Sequence, residues 1–119
     1  MVEKLHKFRS MLLIIIIPIL FSCASAQFYT HQGVAHFNKD EYDEAISDCN
    51  KALKINPKYA VAYNPNYLDT LAAAYARVGD FTNAIKWQER ALEYPDIYKQ
   101  KEARERLEFY RQYKSWPSH

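Results

Sequence analysis

The sequence predicts an all-α fold: a superhelical stack of helical hairpins, about five helices in all, behind an apolar leader. Three observations carry that expectation. Between Thr70 and Leu92, small residues (Ala72, Ala73 and Ala76, then Ala84 and Ala91) mix with larger apolar ones (Leu71, Tyr75, Phe81, Ile85 and Leu92) at spacings of three, four and seven. That pattern marks helices with one buried stripe. Small residues let two helix axes approach closely, larger ones on the flanks set the crossing angle, and Gly79-Asp80 supplies the turn between them. The same order recurs 39 residues upstream: Tyr29, Gln32, Gly33 and His36 fall opposite Leu68, Leu71, Ala72 and Tyr75. Tyr42, Ala45, Ile46, Ala52 and Leu53 likewise fall opposite Phe81, Ala84, Ile85, Ala91 and Leu92. Finally, no run alternates with period two for long enough to form a strand.

Two gap-free copies of a helical hairpin define a repeat architecture. The order runs large, then large-small three residues on, an aromatic three later, Ala after eight more, and Pro near the end. It resembles the tetratricopeptide repeat, carried in the first copy by Tyr29, Gln32-Gly33, His36, Ala45, Ala52 and Pro57. The resemblance covers Tyr29 to Pro95. The family's unit is about 34 residues long, and the five extra residues here fall between Ala60 and Asn64. His36 stands where an aromatic is usual, Gln32 where an apolar residue is, and Pro95 comes one place early.

Taken from the N-terminus, residues 1–26 have the three-part layout of a secretory leader. Lys4, Lys7 and Arg9 precede the apolar run Met11 to Phe21, and small residues follow. The run is shorter than the ~20 residues a membrane span requires. Ala24-Ser25-Ala26 suits signal peptidase cleavage before Gln27, the preferred reading. Leu20-Phe21-Ser22-Cys23 resembles a bacterial lipobox, which makes Cys23 a competing lipidation site, and an uncleaved anchor is the third option. The hairpins then occupy 27–59 and 65–95. Asp40 and Asp80 stand where the second helix of each would begin, offering a carboxylate to free N–H groups. Asn56-Pro57 and Tyr94-Pro95 end those helices, and Asn64-Pro65 is a cap followed by proline that starts the next. Lys58 to Tyr63 reads equally as a helical continuation or a loop.

Residues 96–119 form a C-terminal helix and tail. Ala103, Leu107, Tyr110 and Tyr113 line up at helical spacing from Ile97 onward, and Trp116-Pro117 ends the helix. Repeat proteins need about three units to be stable alone, so this helix is expected to cap the open end of the second hairpin, with Trp87 against it. Self-association is the other way to close the stack.

Composition excludes several functions. From Gln27 on, 13 basic residues balance 13 acidic ones, so nothing suggests a nucleic-acid or anionic-membrane partner. Any membrane contact would come through the leader or a lipidated Cys23. Residues 27–96 carry seven basic and ten acidic groups, while 97–119 carry six and three. The preferred reading is a solvated helix face with intrahelical pairs such as Glu102 to Arg106, and a basic final helix lying against a mildly acidic body is the alternative. The aromatic residues mostly occupy packing positions. Cys49 is a buried packing thiol, and His31 and His36 are spaced wrongly for a metal pair on one helix face. No phosphate loop, nucleophile elbow or paired-carboxylate pattern occurs. The expectation is a protein with no catalytic, metal or cofactor site.

Binding remains. Stacked hairpins curl, and their first helices line a concave groove suited to a polypeptide. Groove positions not assigned to packing are Thr30, Val34, Phe37 and Asn38 in the first copy, and Asn66, Asp69, Ala73 and Arg77 in the second. The resemblance implies that Lys and Asn would hold a C-terminal carboxylate here; Thr30 and Val34 stand in those places. The expected partner is a protein or peptide outside the cytoplasm, held by an adaptor or scaffold. The alternative is a self-assembling, dimer-forming component of an envelope complex with no peptide ligand of its own.

Overall fold

The computed structural model describes residues 2–64, 66–94 and 100–113, without the side chains of Val2, Leu5, Phe8, Ala62 and Tyr63. Six helices and no strands occur among them: α1 (Val2–Asn38), α2 (Tyr42–Ile55), α3 (Pro57–Tyr63), α4 (Tyr67–Arg77), α5 (Phe81–Leu92) and α6 (Gln100–Arg111). α1 pairs with α2 and α4 with α5, α2 stacks on α4, and α6 packs on α5. This is the expected all-α hairpin repeat. Pro65, Pro95, residues 97–99 of the expected last helix and its Trp116-Pro117 stop lie outside the described residues.

The small residues sit where the helices touch. Ala45, Ala52, Ala72, Ala84 and Ala91 are fully buried. A Cβ on Gly33 would lie 2.6 Å from Cys49 Sγ and 3.3 Å from the Cys49 backbone nitrogen, so α1 and α2 meet at a separation only glycine permits. The pattern is off by one place in α4, where Ala73 is half-buried and Ala74 is fully buried. Both faces of this middle helix are covered, one by α5 and the other by the first hairpin. The core runs on through Tyr67, Leu68 and Leu71 to Ala103, with Trp87 packed against both of its clusters.

The two hairpin turns show how the 39-residue offset works. Asp40 has φ +62° and Gly79 has φ +83°, so Asp40 is the counterpart of Gly79 rather than of Asp80. Asp and Gly are among the residues that tolerate this left-handed region. The backbone N–H groups of Glu41 and Asp80 then close the same turn on the carbonyls of His36 and Tyr75, at 3.0 and 2.9 Å. Asp80 caps α5 as expected, accepting from the Asn83 N–H at 3.1 Å. Its counterpart Glu41 makes no such bond to α2; Asp40 instead accepts the Tyr42 hydroxyl at 2.6 Å.

One open reading is resolved and one start signal is displaced. The ambiguous stretch after Asn56 is a short helix, α3, capped by Asn56 Oδ1 accepting from Tyr59 N–H at 3.0 Å, with Pro57 in its first turn. α4 starts later than the Asn64-Pro65 signal: Asn66 is its N-cap residue, and Asn64 Oδ1 holds the Asn66 N–H at 3.1 Å. At the N-terminus, leader and first repeat helix are one continuous helix. The stretch Arg9–Asn38 is long and apolar enough to cross a membrane by length and composition.

Candidate functional site

α1 and α4 occupy the same place in the two hairpins, so their exposed faces form the candidate surface. Its residues fare differently. Thr30 is only 1 % exposed, and its hydroxyl donates to the Ala26 carbonyl at 2.8 Å. A threonine can satisfy its own hydroxyl on the preceding turn, which lets it be buried where a charged groove residue could not be. Thr30 therefore belongs to the packing and not to an open surface.

Asp69 is also committed. Arg106 of α6 grips it through Nε to Oδ1 at 3.0 Å and Nη2 to Oδ2 at 2.6 Å, the forked geometry that suits guanidinium to carboxylate. Gln88 Nε2 donates to the same Oδ1 at 2.7 Å and to the Ala103 carbonyl at 3.0 Å. Asp69 thus fastens α6 to the second hairpin, and Gln88, fully buried in α5, is part of that fastening. Burial comes first, and the nearby Asp69 carboxylate second, in pushing the Tyr110 phenol above its usual range. Spacing alone could not pair Asp69 with Arg106, 37 residues away. The basic excess of the last segment was the only signal.

The remaining candidates lie toward the turn end of the surface. Val34, Phe37, Ala73 and Arg77 are half-buried, and Asn38 is exposed. Phe37 meets Tyr42 edge to face with ring centres 5.5 Å apart, and the Arg77 guanidinium lies 5.9 Å from the Tyr42 ring. Tyr42, assigned to packing by its place in the repeat, therefore joins candidates from both hairpins into one patch. Asn66, at the opposite end of α4, is half-buried. Cys23 is half-buried on α1.

Neither histidine behaves as half of a metal pair. His31 is exposed, while His36 Nδ1 lies 2.5 Å from Glu41 and Nε2 lies 3.5 Å from Asp48. These partners explain the missing aromatic: the imidazole ties α1 to the turn and to α2 through polar contacts. No cluster of His, Cys, Asp and Glu able to hold a metal occurs among the described residues. Cys49 is fully buried and burial pushes its thiol up to about 12, which leaves the protonated, unreactive form at neutral pH. The Tyr67 hydroxyl donates to the Cys49 carbonyl. A concavity of about 460 Å³ lies between the hairpins, lined by Leu53, Lys58, Val61, Trp87, Arg90 and Tyr94 among others, none of them a candidate residue.

Family models for the tetratricopeptide repeat match residues 26–59 and 65–97, more than half of the chain between them. No curated protein and no solved structure matches it significantly. With its Gly33 and Ala72 contacts, paired hairpins and terminal helix, the chain belongs to the tetratricopeptide repeat family.

Proposed function

We propose that this protein is an exported, non-enzymatic adaptor that holds a polypeptide partner against the face shared by α1 and α4. Repeats of this family are protein–protein interaction units, and their hairpin stack offers area rather than a reaction centre. The observation that carries the reading is the patch of Phe37, Tyr42 and Arg77, where aromatic edges and one guanidinium converge from both hairpins. Aromatic and arginine side chains are the types that anchor protein interfaces. Export is supported by the N-terminal apolar helix, whose large side chains from Met11 to Phe21 are 40–74 % exposed, behind three basic residues.

Arg77→Glu tests the surface without touching the Asp69–Arg106 fastening. Affinity capture from the native host is expected to lose a specific protein at least about tenfold with this variant, the scale of one interface anchor. A control such as Lys86→Glu, on α5, should leave capture unchanged. Equal capture by Arg77→Glu and wild type would place the partner on another surface.

A further inference from the structure

The boundary between leader and folded body falls at residues 21 and 22, five residues before the cleavage point that small-residue spacing favours. Phe21 is 74 % exposed, whereas Ala26 is 0 % exposed. Between them, Ser22, Cys23 and Ser25 are half-buried. Asn56 Nδ2 reaches back to Ser22 Oγ at 3.5 Å and to Cys23 Sγ at 3.9 Å. The Ala26 carbonyl is the acceptor for the buried Thr30 hydroxyl.

The end of the first hairpin points the same way. Residues 60–64 lie outside both family matches, and most of them belong to α3. α3 packs against α1 and α2, and its cap residue Asn56 is the one that contacts Ser22 and Cys23. The end of the first hairpin therefore contacts chain that a leader would discard. The first family match itself begins at residue 26.

Cleavage before Gln27 would remove Ala26 from the core, strand the Thr30 hydroxyl without its acceptor, and strip Asn56 of both contacts. Buried polar groups that lose their partners destabilise a fold. We propose that Cys23–Ala26 is a structural part of the repeat domain, that the mature chain keeps it, and that the domain is held directly against the membrane by a hydrophobic tether at its own first helix. The apolar run Met11 to Phe21 spans roughly 16 Å as a helix, short of the ~30 Å hydrocarbon core. The body begins where that run ends, so either the uncut run or an acyl group on Cys23 leaves little slack between bilayer and repeats.

This inference rests on the export reading, and one experiment separates the two. The full chain is expressed in its native host, fractionated, and its N-terminus read by intact mass and peptide sequencing. An N-terminus at Cys23 carrying an acyl adduct, or an uncut α1 in the membrane fraction, is the expected result. A mature N-terminus at Gln27 in a soluble extracytoplasmic fraction would overturn the inference while leaving export standing. An uncut chain in the soluble cytosol would overturn both.

Discussion

Gly33→Ala is expected to destabilise the protein, although alanine is the better helix former. Helix propensity favours Ala over Gly by about 1 kcal/mol in a helix interior. Against that, the new methyl would lie 2.6 Å from Cys49 Sγ, 3.3 Å from the Cys49 nitrogen and 3.4 Å from the Ala45 carbonyl oxygen. The backbone atoms cannot swing aside as a flexible side chain would, and overpacking of this kind costs about 1–3 kcal/mol. The net loss should be up to about 2 kcal/mol, and Gly33→Leu, which must push α1 and α2 apart, should lose more than about 3 kcal/mol. Thermal melting of the full chain reads both, at roughly 4–8 °C per kcal/mol for a domain of this size. Cys49→Ala in the Gly33→Ala background removes the closest clash and should return part of the lost stability. The coupling between the two sites must then be favourable, since Cys49→Ala alone leaves a void. An additive pair would show that the two helices do not meet here.

The second large effect concerns α6. Arg106→Ala would leave the Asp69 carboxylate, 17 % exposed, without the guanidinium that is itself 13 % exposed. Breaking a buried pair by removing one partner costs about 3–5 kcal/mol, and the residual wetness of both groups puts this one nearer about 2–3 kcal/mol. Gln88 and Ala103 share the network, so the loss should appear locally as well as globally. Hydrogen exchange across 100–111 is expected to accelerate before α1 and α2 change. Arg106→Met combined with Asp69→Leu should recover much of the stability, because an apolar pair carries no desolvation penalty. If Arg106→Ala leaves exchange in α6 unchanged, the ion pair is incidental and the apolar contacts of Ala103, Leu107 and Tyr110 hold the helix alone.

Both predictions show which parts of the architecture were legible in the sequence. Gly33 and the alanines other than Ala73 are legible because close helix contacts allow few residue types, and a repeated spacing multiplies that signal. The Gly79-Asp80 turn is legible in the sequence, while the first hairpin turn lies one residue away from its reading. Asp40 looks like a helix cap until the offset sets it opposite Gly79, where the left-handed backbone decides its role. Thr30 and Asp69 were legible as positions but not as environments. A threonine that bonds its own helix and an aspartate met by an arginine from a distant segment both look like free polar residues in a linear pattern. α3 is half legible: Asn56-Pro57 offers a local helix start, but a loop reads equally well until packing against α1 and α2 is known. Tyr42 was read as packing alone, since nothing in its own repeat announces the Arg77 that lies over its ring.

The central claim is that the α1/α4 face, and not the concavity between the hairpins, holds a different polypeptide. Site-specific photo-crosslinking in the native host tests it most directly, with the photoreactive residue placed in turn at Val34, at Arg77 and at Arg90 on that concavity. The account predicts one discrete cross-linked protein, the same from positions 34 and 77, and none from position 90. Cross-links only from position 90, or only to a second copy of this chain, would contradict it.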